Sequence, residues 1–214
     1  MSVIAVEGCS HAGKTTLIKH IRPLVPGIIT LPDYVAFAGG DDKVPPAPAQ
    51  SVSEEMDALR FFFDLDYKRW KSAVLSLSED YLILADRSFH TLLAHRLSIQ
   101  HLTKMDIFEP SCALARSRQD LLRPDLILYL DTPQTILDQR YKTRISKTPV
   151  NGHIKNYDYE EKMKLVFNKH GYNETFREYF IPKIRFGDTP IAVLDGSLSI
   201  NALVSAALSA MGDI

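Results

Sequence analysis

Five short apolar runs, rich in β-branched residues, punctuate the chain: Val3–Val6, Gly27–Leu31, Tyr81–Ala85, Leu126–Leu130 and Ile191–Leu194. Each is shorter than a typical helix and bounded by turn residues or charges, which predicts buried strands. Longer stretches between them predict helices over Lys14–Arg22, Ser53–Leu77, Phe89–Lys104, Pro110–Leu121, Pro133–Lys147, Tyr159–Phe180 and Ile200–Met211. In the second of these, Met56, Leu59, Phe63, Tyr67, Trp70, Val74 and Leu77 recur at steps of three or four, one apolar face of a long helix that starts at Ser53 and the acidic pair Glu54-Glu55. Pro23 stops the first helix. Strands alternating with helices imply an α/β fold, a five-stranded parallel sheet flanked by helices on both faces. At 214 residues one core is expected, so the chain reads as a single domain over 1–214. The least regular stretch, Ala38–Gln50, holds a Gly pair, an Asp pair and three prolines. It predicts a mobile loop at about 36–52, not a linker, because the strand pattern resumes on both sides.

Composition narrows the partners. A formal net charge of -1 gives no global pull toward nucleic acid or an anionic membrane, so neither a nucleic-acid polymer nor a membrane is an expected partner. The two cysteines, Cys9 and Cys112, make no disulfide framework and suit a reducing cytosol. No apolar run approaches the roughly 20 residues of a membrane span. The first strand begins at once, with no basic segment before it, so a cytoplasmic location is expected. A homodimer is compatible with the chain.

The strongest chemical signal is Gly8-Cys9-Ser10-His11-Ala12-Gly13-Lys14-Thr15, which fits G-x-x-x-x-G-K-[ST] between a predicted strand and a predicted helix. Small residues let successive backbone N–H groups surround phosphates at the positive end of the helix. Lys14 then reaches the β- and γ-phosphates of ATP and the Thr15 hydroxyl ligates Mg²⁺, with Thr16 completing the ATP-binding segment. Cys9 and His11 have no second Cys or His at metal-ligand spacing and read as side chains tolerated where the backbone binds; His11 would face the acceptor side. No N-K-x-D element that would read guanine is present. Asp86-Arg87-Ser88 ends the third strand. An acid at that position lies beside the phosphate loop, where Asp86 can hold Mg²⁺ and Arg87 can grip the acceptor or the travelling phosphoryl group.

At these residues the chain resembles the thymidylate kinase and deoxynucleoside kinase superfamily. Glu7-Gly8 followed by Gly13-Lys14-Thr15-Thr16 looks like the family's opening motif. Asp86-Arg87-Ser88 with Thr91 and Ala94 looks like its acceptor helix, Leu128–Pro133 with Arg140 and Arg144 like its fourth strand and lid, and Val193–Ser197 like its last strand and turn. The resemblance spans nearly the whole chain. It implies that Asp33, at the end of the second strand, deprotonates or orients the acceptor hydroxyl, although Pro32-Asp33 reverses the family's usual order. It further implies that Phe63, Tyr67 and Arg69 of the long helix contact the acceptor. Arg140 and Arg144 share a helix face, and a lid at about 133–157 would set them over the ATP phosphates. Ala94-His95-Arg96 stands where thymidylate kinases carry A-Y-Q, and Arg96 prefers phosphate or carboxylate to a pyrimidine edge. Ser10 replaces their usual acid. Asp131 and Asp195 read as structural residues at turns.

The expected activity is transfer of the γ-phosphate of ATP, with Mg²⁺, to a small-molecule phosphate acceptor, a nucleoside monophosphate or a nucleoside. Two alternatives stay open. One is a kinase of a small non-nucleotide hydroxyl compound. The other is a nucleotide-binding regulatory protein without turnover, against which Lys14, Thr15, Asp86 and Arg87 stand.

Overall fold

The computed structural model describes residues 2–45, 51–75, 81–147, 172–181 and 189–212. The five apolar runs form strands β1 (Ser2–Glu7), β2 (Ile28–Leu31), β3 (Leu82–Asp86), β4 (Leu126–Asp131) and β5 (Ile191–Asp195). All pair in parallel, in the order β2-β3-β1-β4-β5. The helices are α1 (Lys14–Ile21), α2 (Tyr34–Ala38), α3 (Val52–Val74), α4 (Phe89–Thr103), α5 (Phe108–Ser117), α6 (Gln134–Lys147), α7 (Tyr172–Phe180) and α8 (Ile200–Met211).

A parallel sheet needs apolar side chains on both faces. Ile4, Leu84 and Leu128 join Leu17, Leu59, Phe63 and Leu203 in the main core. A second cluster gathers Val3, Leu31, Ile83, Ala85 and Leu122, with Trp70 and Val74 of α3 packed against it. Register brings the functional ends together: Val6 lies opposite Asp86, Leu31 opposite Ala85 and Glu7 opposite Tyr129. The segments after β1, β2 and β3 therefore leave the same edge of the sheet.

Helix boundaries follow local chemistry. The long helix starts earlier than expected, because Ser51, not Ser53, accepts from the Glu54 N–H in an S-x-x-E arrangement. In α5, Pro110 falls inside the first turn, where it is tolerated; the Gln100 side chain accepts from the N–H groups of Ile107 and Phe108. Helix α2 was not expected. Asp33 caps its start and Gly39, at φ 95°, ends it, so its five residues, all apolar, are too short a run to register as helical periodicity. The expected loop at 36–52 opens with the end of α2 and a 3₁₀ turn at Asp41–Lys43, and 46–50 lie outside the described residues. So do residues 148–157 of the expected lid and 159–171 of the expected helix before α7. No described helix is long and apolar enough to cross a membrane.

Candidate active site

The loop after β1 is built on left-handed backbone: φ is 141° at Gly8, 67° at His11 and 105° at Gly13. Gly8 is required twice over, since a Cβ there would stand 3.0 Å from the Leu130 carbonyl oxygen. Asp33, Ser51, Ser88 and Ser199 cap α2, α3, α4 and α8 with their side chains, whereas α1 has no side-chain cap and no acid in its first turn. Its N–H groups are thus left to an anion. Lys14 is buried and its Nζ donates to the carbonyls of Gly8 (3.0 Å) and Cys9 (2.8 Å). Burial brings its ammonium pKa down to about 8. Ser10 and Thr16 are exposed along the same segment.

Cys9 serves the scaffold. Its Sγ donates to Asn173 Oδ1 (3.1 Å) on α7, and Asn173 Nδ2 donates to the Thr132 carbonyl (3.1 Å) after β4. Burial pushes the thiol up to about 12. His11 meets the ring of Tyr141 edge-on at 5.3 Å, on the α6 side of the loop rather than toward the acceptor as expected. Arg140 differs from expectation too. Its guanidinium donates to the carbonyls of Ala12 (2.7 Å) and Gly196 (2.9 Å), bracing the phosphate loop against the turn after β5. That turn needs a glycine, because a Cβ on Gly196 would stand 1.9 Å from Thr132 Oγ1. Arg144 lies on α6, but its side chain is outside the described residues. Asp131 pairs with Arg177 (3.0 Å), and Asp195 accepts from Ser197 within its own turn.

Thr15 and Asp86 meet across the loop, the Thr15 hydroxyl donating to Asp86 Oδ2. Asp86 is 4% exposed and its Oδ1 has no hydrogen-bond partner among the described residues. An orphaned, buried carboxylate oxygen beside a hydroxyl is a hard oxygen donor set that fits Mg²⁺.

Arg87 follows in left-handed conformation, φ 74°. Three contacts hold it there: its N–H donates to the Val6 carbonyl (3.1 Å), its own carbonyl accepts from Arg69 (2.8 Å), and its Nε donates to Asp33 Oδ2 (2.9 Å). Asp33 Oδ1 accepts from the Val35 N–H (2.9 Å). Burial alone would raise the Asp33 pKa, but Arg87 and the α2 N–H groups outweigh it and hold the carboxyl below its ordinary value. Glu7, fully buried at the end of β1, accepts from the Ser88 N–H and Oγ (both 2.7 Å) and from the Thr91 hydroxyl, which pins the residue after Arg87. Burial raises its pKa against those hydrogen bonds.

Behind this pair lies Arg69, 1% exposed. It donates to the carbonyls of Pro32 (2.8 Å), Asp86 (3.1 Å) and Arg87, pairs with Asp66 (2.8 Å) and stacks 4.2 Å over the Tyr34 ring, whose hydroxyl also donates to Asp66. Its place is therefore beneath the site, not at an acceptor phosphate as expected. Phe63 is fully buried in the core; its neighbour Phe62 is half-buried and edge-on to Tyr34. Tyr67 packs against Trp70 and accepts from Lys71, on the flank of α3 whose Trp70 reaches Asp120. Arg96 is buried against Glu55, at 3.3 Å. The structure thus gathers the loop, Lys14, Thr15, Asp33, Asp86 and Arg87, and assigns Phe63, Tyr67, Arg69, Arg96 and Arg140 to packing or bracing. Glu7 and Asn173 add two supports; Glu7 was legible in the Glu-Gly motif but without a role, and nothing in sequence tied Asn173 to Cys9.

No protein-family model and no curated protein matches the chain. Solved structures do. Deoxyadenosine kinase from M. mycoides, in a structure with dCMP and dCDP bound, is 18% identical with a TM-score of 0.61, covering 99% of this chain and all of that one. The same enzyme with dATP bound matches at 16% identity and a TM-score of 0.60, again over 99% of this chain and all of that one. Thymidylate kinase from Candida albicans is 16% identical with a TM-score of 0.64, covering 99% of this chain and 91% of that one. The chain has the P-loop fold of the deoxynucleoside and thymidylate kinases.

Proposed function

We propose that the protein is a kinase that transfers the γ-phosphate of MgATP to a nucleoside or nucleoside monophosphate. The observation that carries this reading is one of placement. The orphaned Asp86 Oδ1 beside Thr15 and the Asp33–Arg87 pair stand on neighbouring strand ends, with Lys14 and the uncapped start of α1 next to them. Donor and acceptor machinery thus share one edge of the sheet. The neighbouring folds support it: one solved structure of the M. mycoides deoxyadenosine kinase holds dCMP and dCDP, another dATP.

Thr15 and Asp86 would hold Mg²⁺, which when bound neutralises phosphate charge as it shifts toward the leaving group. The α1 N–H groups and Lys14 bind the phosphates; Lys14, now on two loop carbonyls, exchanges them for phosphate oxygens. Arg87, fixed by its backbone contacts, stabilises charge on the transferred group. Asp33 accepts a hydrogen bond from the attacking hydroxyl. Arg144 of α6 would supply a further cation for the phosphates.

The test is ATP consumption across nucleosides and their monophosphates, with product mass measured. Lys14→Ala is expected to abolish transfer without unfolding the chain, and Arg144→Ala to slow it. Wild-type turnover by the Lys14 variant would sink the mechanism.

A further inference from the structure

Three arginines were expected to serve the acceptor, and each is already matched by a carboxylate. Arg69 pairs with Asp66 at 2.8 Å, Arg87 with Asp33 at 2.9 Å and Arg96 with Glu55 at 3.3 Å. Two of these pairs are closed to ligands. Side-chain exposure is 1% for both Arg69 and Asp66, and 3% and 2% for Arg96 and Glu55. Drawing either arginine out to a phosphate would leave a buried carboxylate uncompensated, which is strongly unfavourable. Only Asp33 and Arg87 are open, at 28% and 14%.

Resting on the kinase reading, we infer that the acceptor is an uncharged hydroxyl compound of the nucleoside class, not a nucleoside monophosphate. A phosphate monoester brings a charge of about -1.5 to -2 at neutral pH and needs an excess of cationic donors. At this edge, among the described residues, it would meet one arginine already engaged by a carboxylate. It would also meet that carboxylate itself, held in place by the α2 N–H groups and by Arg87. Like charges in contact disfavour binding. A hydroxyl fits the same geometry. Among the described residues Asp33 Oδ2 accepts one hydrogen bond, from Arg87 Nε, and a carboxylate oxygen can accept two. The second position is open to an O–H.

The chemistry balances. As the acceptor oxygen bonds to the γ-phosphorus, its proton passes to Asp33 Oδ2. The bond from the γ-phosphorus to the β,γ-bridging oxygen breaks, and its electron pair leaves with ADP. Asp33 then returns the proton to solvent.

The experiment compares each of the four common ribonucleosides and four deoxynucleosides with its own 5′-monophosphate, with MgATP and product mass as readout. We expect kcat/KM to favour the unphosphorylated member of a productive pair by at least about 10-fold. Asp33→Asn keeps a good helix cap, so α2 survives, and it should slow the nucleoside reaction about 10²- to 10⁴-fold. Monophosphates converted to diphosphates as efficiently as nucleosides, or better, would overturn the inference and leave the kinase reading standing. An unchanged nucleoside rate in Asp33→Asn would also overturn it. Conversion of no member by a protein that binds MgATP would overturn the kinase reading itself.

Discussion

Arg87 shows what a single residue contributes. A non-glycine residue in the left-handed region is strained by about 1–3 kcal/mol and persists only where its surroundings over-determine it. Here the Val6 carbonyl, Arg69, and Glu7 acting through Ser88 supply that determination, and the strained turn aims the guanidinium at Asp33. The two thiols give the opposite lesson. Cys9 sits inside the phosphate loop, where a reactive thiolate would be prominent, yet burial pushes it up to about 12, and Cys112 to about 11. A thiolate is the reacting species, so neither cysteine should titrate with a disulfide reagent at neutral pH until the chain unfolds. Fast labelling located at Cys9 by peptide mapping of the native protein would show that Cys9 is not held against Asn173 as described.

Between elements, buried arginines do the joining. Arg69 of α3 ties the segment after β2 to the end of β3, and so fixes the separation of Asp33 and Arg87. Lysine at that position keeps the charge beside Asp66 but loses the planar fork that serves several carbonyls. Arg69→Lys should therefore reduce kcat by about 10²-fold, as a misplacement of about 1 Å does, with ATP affinity little changed. Equal losses in ATP binding and kcat would point to general unfolding instead. This level of organisation was the least legible in sequence. The five strands and the phosphate loop announce themselves through local periodicity and spacing, and the structure holds them within a residue or so. The carbonyl partners of Arg69 and the partners of Arg96 and Arg140 come from distant elements, and a buried cation reads in sequence like a ligand-binding one. Asp33 was legible as a site residue, but the short helix it caps was not.

The whole molecule carries an acid sensitivity. His90, on α4, is buried, its Nδ1 2.9 Å from the Tyr179 hydroxyl on α7, and burial lowers its pKa to about 3 from 6.5. Between those values the unfolded chain binds a proton that the folded chain refuses, so stability falls as pH drops through that window, by about 1.4 kcal/mol per pH unit for such a group. Thermal melts of wild type and His90→Phe from pH 7 to pH 4 should show a shallower decline in the variant. Parallel curves would remove His90 as a source.

At the same scale, the parallel sheet delivers the loop after β1, Asp33 after β2 and Asp86-Arg87 at the end of β3 to one edge, the placement on which the proposed transfer between two bound molecules rests. The direct measurement follows the label from γ-³²P-ATP in the presence of a nucleoside panel. Label is expected in a phosphorylated nucleoside, one equivalent for each ADP formed, and none with Lys14→Ala. Label released only as inorganic phosphate, or retained in ATP with every acceptor, would contradict it.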